Sequence, residues 1–229
     1  MKKILMIIIR LIPTLFLLAM GIVMTINANL GLSPWDVFHQ GLSKNLDITM
    51  GQAGIVAGIV IIVLNYVLGE RIGWCTIAGI VVTGIFIDIL MLNNLIPIFN
   101  NVILQVIMMI IGMVAIGFAT FIYLCEGLGS GPRDGLMVAL TKKTGKSVRL
   151  IRNSIEITVL VVGFFLGGKV GIGTVIMAVL IGPIIQFVFK IMKFDVSKVK
   201  HRFIDQDIKW LKEKINHRKS LSSKLSRKR

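Results

Sequence analysis

The feature that most constrains this chain is a succession of apolar runs separated by short polar or basic turns. Six runs, at about Leu11–Ile26, Met50–Leu68, Trp74–Leu92, Val102–Leu124, Leu150–Leu166 and Val170–Ile191, approach or reach the length that crosses a hydrocarbon core, which takes roughly 20 residues. Inside lipid every backbone N–H and C=O must be paired within the structure, and a helix achieves that within one segment. The runs therefore predict an all-α polytopic membrane protein. The first and fifth are short unless Arg10 and Arg149 snorkel toward the interface. Residues 1–193 are read as the transmembrane domain and 194–229 as a basic cytoplasmic tail. Lys2 and Lys3 ahead of an apolar run resemble the start of a secretory signal. Arg10 interrupts that run, apolar sequence continues to Ile26, and no small-x-small cleavage pattern follows. The segment is read as an uncleaved first span.

Charge placement orients the chain. With the N-terminus inside, the inner segments hold Lys2, Lys3, Arg10, Arg71, Arg133, Lys142, Lys143, Lys146, Arg149 and Arg152, and the outer segments hold only Lys44 and Lys169. The positive-inside rule then places both termini in the cytoplasm. The formal net charge is +15, and 14 of the 26 Lys and Arg lie from Lys190 onward. From Val196 to Ile215 the residues Val196, Val199, Phe203, Ile208, Leu211 and Ile215 fall near helical spacing among basic side chains. That pattern suits an amphipathic helix lying on the lipid bilayer and touching anionic lipid headgroups, or else a loosely ordered tail that enforces topology. From Ser220 onward the sequence reads as disordered. Nothing interleaves aromatic and basic residues as a nucleic-acid reader does, so no nucleic acid is expected as a partner.

The chain repeats itself. Leu30-Gly31-Leu32-Ser33-Pro34-Trp35-Asp36 returns as Leu128-Gly129-Ser130-Gly131-Pro132-Arg133-Asp134, an offset of 98 positions. At the same offset, without a gap, Leu68-Gly69 matches Leu166-Gly167, Gly73 matches Gly171, Thr76 matches Thr174 and Gly84 matches Gly182. Each copy, about residues 11–92 and 102–190, holds three spans. Three is odd, so the second copy enters the membrane from the opposite face. This is the inverted-repeat arrangement of many secondary transporters.

Each copy also places a Gly-rich turn before a Pro and an Asp. Proline suits the first helical position, an acid in the first turn complements the helix dipole, and Ser33 suits an N-cap. Short helices are therefore expected over Pro34–Ser43 and Pro132–Thr141, either re-entrant or lying at the interface. Glu156 and Arg152 stand four residues apart in the fifth run. They are expected to pair and to face the protein interior, where loss of one partner would cost about 3–5 kcal/mol. Asp36, Arg133, Asp134, Arg152 and Glu156 are the candidate substrate-binding residues: the two short helices read as half-sites, one at each face, and Arg133, Asp134, Arg149, Arg152 and Glu156 enter from the cytoplasmic side as a polar vestibule suited to an anion. A purely structural ion-pair network is the competing reading. Asp88 is expected near the outer end of the third span, hydrogen-bonded there or proton-coupled, and Gly51, Gly54 and Gly58 are expected on one packing face of the second. The two cysteines, Cys75 and Cys125, read as unpaired helix residues.

These motifs, with Thr49-x-Gly51, Gly69-x-Arg71-x-Gly73, Gly129-x-Gly131-Pro132-Arg133-Asp134-Gly135-Leu136 and Gly167-Gly168-x-x-Gly171-x-Gly173-Thr174, resemble the bacterial YczE/YyaS/YitT-type membrane proteins, closest to the YczE branch. The resemblance runs from about Lys2 to Lys190. It implies a multi-pass protein of the bacterial plasma membrane and brings no substrate or catalytic residue with it. An enzyme is not expected. There is no His-Glu-x-x-His, Cys/His metal cluster or phosphate-binding loop, and no metal or cofactor is implied. The leading expectation is a transporter or channel for a small polar or anionic solute. The alternative is a scaffold or regulator acting through a partner protein, and a homo-oligomer is compatible with either.

Overall fold

The apolar runs are helical in a computed structural model that describes residues 2–127, 129, 131–195, 199 and 203. Among the described residues there are eight helices and no strand: α1 (Lys2–Asn27), α2 (Pro34–Leu46), α3 (Met50–Val67), α4 (Trp74–Leu92), α5 (Val102–Cys125), α6 (Pro132–Thr144), α7 (Val148–Phe165) and α8 (Ile172–Ile191). Among the described residues, four stretches are long and apolar enough to cross a membrane, namely Ile9–Asn27, Met50–Val67, Val102–Cys125 and Ile172–Ile191. Thr76–Leu92 is a shorter apolar stretch. The remaining long helix, α7, carries Arg149, Arg152 and Glu156 in its first half. The tail helix expected over Val196–Ile215 lies outside the described residues, apart from Val199 and Phe203.

The polar punctuation sets the helix ends. Ser33 caps α2 by accepting the Asp36 N–H, with Pro34 in the first turn. Thr49 and Gln52 form a reciprocal capping box on α3, and the Ser147 hydroxyl accepts the Leu150 N–H on α7. Both short helices run three residues further than expected. They stop where the backbone turns left-handed, at Asp47 (φ 52°) and Gly145 (φ 68°).

The first helix of each half forms the centre. α1 and α5 pack antiparallel: Arg10 Nη1 is 3.8 Å from Glu126 Oε1 at one end, and Ala28 packs with Met108 and Met109 at the other. Between them the backbones nearly touch at Gly21 and Gly112, where a Cβ on either would lie 2.8 Å from the other's carbonyl oxygen. Close backbone approach of this kind suits association in lipid, where the helices gain from packing and not from escaping water.

Around this centre the pairing scheme recurs. α4 packs on α1 as α8 does on α5, α3 on α2 as α7 does on α6, and each short helix packs on the third helix of the other half, α2 on α7 and α6 on α3. The turns interlock likewise. Gly31 (φ 126°) sits against Gly171 and Thr174, and Gly129 (φ 110°) sits against Gly73 and Thr76. Both glycines need a backbone conformation that other residues rarely adopt, and neither site has room for a side chain.

One pairing does not recur. α3 and α4 pack tightly through Gly51 and Gly84, whereas a Cβ on Gly182, the counterpart of Gly84 in α8, would meet nothing within 4 Å. Asp88 of α4 fastens the first pair. Its carboxylate accepts the Thr49 hydroxyl at 2.5 Å and the Gly51 N–H at 2.8 Å. The expected single glycine face of α3 is divided: Gly51 and Gly58 meet α4, while Gly54 faces His39 of α2.

Candidate functional site

The site is built between the two short helices, which approach α3 at opposite ends. His39 of α2 lies against Gly54, near the start of α3, and the Pro132 carbonyl of α6 accepts Asn65 Nδ2 at 2.8 Å, near its end. α2 is held closely because α7 and the turn after it offer glycine where it passes. A Cβ on Gly163 would lie 2.5 Å from the Phe38 backbone, and one on Gly168 2.2 Å from the Val37 carbonyl oxygen. Further along, Asn45 donates to the Leu166 carbonyl and Lys44 to the Gly167 carbonyl.

This packing buries Trp35, Asp36 and His39. Ser33 Oγ donates to Asp36 Oδ2, and His39 Nδ1 lies 3.7 Å from Asp36 Oδ1. From the other end Arg133 of α6 reaches toward this group, and its guanidinium carbon stands 4.4 Å from the centroid of the Trp35 ring. A cation over an indole face is worth about 0.5–1 kcal/mol at an exposed site. Asp36, Asp134 and Glu156 are all within electrostatic reach of Arg133, and Arg152 is within reach of Asp134.

The five residues singled out in the sequence are therefore gathered into one cluster. It has a dry layer and a wet one. Trp35, Asp36 and His39 are buried, while Arg133, Asp134 and Arg152 are exposed and Glu156 is half-buried. Arg133 and Asp134 form no close ion pair or hydrogen bond with another described residue, and the Asp134 carboxylate turns back toward Gly131 at the start of its own helix. Arg152 Nε and Glu156 Oε1 do pair, at 3.1 Å. The expectation that this pair faces the interior is corrected: the Arg152 side chain is 49% exposed and that of Glu156 27%. The physical reason is the loose α7–α8 contact, which leaves this face of α7 uncovered.

On the α2 side lies a separate cleft of about 500 Å³, lined by polar Asn27, Asn29, Gln40 and Lys169 among apolar neighbours. The buried Oδ1 of Asn65, beside α6, has no hydrogen-bond partner. Among the described residues no group of three or more His, Cys, Asp or Glu is placed to hold a metal ion. The sequence reading missed His39 as a member of the cluster. The signal was its i+3 spacing from Asp36 on a helix too short to span.

The family model described as "Family of unknown function (DUF6198)" matches residues 2–190. The chain belongs to this family. It is 37% identical over 177 residues to the "Uncharacterized membrane protein YczE" of Bacillus subtilis (strain 168), covering 76% of this chain and 80% of that protein. It is 33% identical over 182 residues to an "Uncharacterized protein" of Haemophilus influenzae (strain ATCC 51907 / DSM 11121 / KW20 / Rd), covering 80% and 83%. The "Uncharacterized protein YyaS" of Bacillus subtilis (strain 168) is 30% identical over 181 residues, covering 76% and 88%. No solved structure matches. The helices and the name of the YczE relative agree on a membrane protein.

Proposed function

We propose that the protein carries a small polar or anionic solute across the bacterial plasma membrane, as six spans in two inverted repeats with both termini in the cytoplasm. The observation that carries this reading is the convergence of charge between α2 and α6. Arg133 extends from one end of the bundle to the buried Trp35–Asp36 group of the other, with Asp134, Arg152 and Glu156 around its exposed side. Ionisable groups at membrane depth are expensive in lipid and belong where protein or water surrounds them. A cationic fork beside water and ahead of a dry layer suits the temporary binding of an anion. Asp36, Arg133, Asp134, Arg152 and Glu156 are assigned to binding, and no catalytic step is included. The antiparallel α1–α5 centre and the reciprocal turns support the inverted relation. The cleft by Lys169 then opens outward and the Arg133 cluster inward.

The test is uptake into vesicles containing the purified full-length protein, using labelled carboxylates, phosphate, sulfate and small amides. Uptake that saturates in the parent and is lost in Arg133→Gln and Glu156→Gln, with both variants inserted normally, is the expected result. Uptake that survives both changes removes these residues from the pathway. Orientation is checked separately: a cysteine at Asn100 should react with an impermeant reagent in intact cells, and one at Ser222 should not.

A further inference from the structure

Asp36 and His39 are the only buried acid and the only buried base among the described residues, at 7% and 8% exposure. They face each other at 3.7 Å. Both lie within electrostatic reach of Arg133. One carboxylate thus stands between two groups that can carry positive charge. In a dry layer this matters, because an unbalanced charge there is costly.

When His39 is neutral, Asp36 balances Arg133. When His39 holds a proton, Asp36 is balanced by its own neighbour, and Arg133 is left with a surplus positive charge on its exposed side. An anion arriving there restores the balance. Proton binding at Asp36–His39 and anion binding at Arg133 therefore favour each other, and this linkage is reciprocal.

The other charges around the pair do not supply the missing balance. α3 presents Gly54 to the His39 ring, and α7 presents Gly163 and Leu166 to α2. Glu156 reaches Arg133 but is paired with Arg152, and Asp134 is turned to the start of α6. Lys44, at the far end of α2, is bonded to the Gly167 carbonyl.

We propose that the Asp36–His39 pair is a proton-binding site through which transport of the anion held at Arg133 is coupled to a proton gradient, proton and anion crossing together. This rests on the transport reading above. The proton is taken from water on the side to which the site is open and returned to water on the other. No bond of the carried anion changes.

Trp35 is a built-in reporter, its ring centroid 6.3 Å from that of His39, since a protonated imidazole quenches a nearby indole. With Trp74→Phe and Trp210→Phe, Trp35 is the sole tryptophan of the full-length chain. Its fluorescence should fall sigmoidally as the pH is lowered, and His39→Gln should abolish the step. Arg133→Gln should raise the midpoint by about one pH unit, a tenfold gain in proton affinity, because the competing cation is gone. Arg133→Lys, which keeps the charge, should titrate like the parent and controls for misfolding. A flat profile, or one unmoved by Arg133→Gln, overturns the proposal. The titration needs no solute, so that failure leaves the transport reading standing. Solute uptake by the parent that ignores an imposed pH gradient also overturns the coupling without touching transport itself.

Discussion

The two short helices have the same plan and different surroundings. Each has 13 residues, a proline in its first turn, an acid two positions later and a left-handed cap. α2 nevertheless buries six residues, and α6 buries only Ala139. The cause lies in where the glycines stand. At the α2–α7 contact the long helix supplies Gly163 against Val37 and Phe38, and the short helix adds Gly41 against Gly163 and Leu166. At the equivalent α6–α3 contact the short helix supplies Gly135 and the long helix supplies Asn65. Glycines on both helices let the whole of α2 settle onto α7. The glycine of α6 only admits the Asn65 side chain, which spaces the two apart. α6 is tied instead at its far end, where Lys142 Nζ lies 2.6 Å from Glu70 Oε1. One short helix is consequently buried and the other largely uncovered, although the sequence is written twice.

The largest expected effect comes from forcing the buried short helix. Gly163→Leu would drive side-chain atoms into the Phe38 backbone. A loss of about 3 kcal/mol, at the top of the overpacking range, should appear as a large drop in melting temperature or failure to purify as one species. Gly182→Ala is the matched control. It enters open space and should be neutral or stabilise by up to about 1 kcal/mol, because alanine favours a helix interior. Equal damage from both would show that the two sites are equally packed.

Next is the Asp88 fastening. Asp88→Ala removes an acceptor for the Thr49 hydroxyl and the Gly51 N–H and should cost about 2–3 kcal/mol, as charge-assisted bonds do. Gln186→Ala, at the counterpart position in α8, should cost much less in the same melts. A smaller effect is expected between Trp35 and Arg133. A double-mutant cycle with Trp35→Leu and Arg133→Gln should return a coupling of about 0.5–1 kcal/mol, and zero coupling would mean the stack contributes nothing.

The smallest effect separates a watery uncovered face from one facing lipid. Arg152 and Glu156 are one turn apart and partly exposed. In water such a pair is worth about 0.3–0.5 kcal/mol. A cycle giving several kcal/mol instead would place the pair in a dry environment and argue against a watery face.

Much of this was legible in the sequence, for identifiable reasons. The short helices announced themselves because Pro34 and Pro132 fit only a first turn, and Asp36 and Asp134 sit where a helix dipole favours them. Helical spacing alone paired Arg152 with Glu156. The exposure of that pair was not legible, since an apolar helix face toward α8 and one toward lipid have the same composition. The division of the Gly51, Gly54 and Gly58 face between α4 and α2 was not legible, because periodicity identifies a face and not what lies against it. His39 escaped notice because a lone histidine takes its meaning from Asp36 and Arg133, and Arg133 is 94 positions away in the chain. The asymmetry between α2 and α6 depends on which partners of each contact carry glycine, which only the packing reveals.

The interlocked turns have a consequence for how the molecule is made. Gly31 needs Gly171 and Thr174, and Gly129 needs Gly73 and Thr76, so neither half covers its own turns. During synthesis the first four helices must wait in the bilayer, with Gly73 and the Thr76 hydroxyl uncovered, until the loop at Gly129 has been made. The contact at Thr174, at the start of α8, closes on a loop that was among the first to be made. A chain cut off before α8 leaves Gly31 with no surface to rest on, and a quality-control protease has a structural reason to distinguish it from the finished protein.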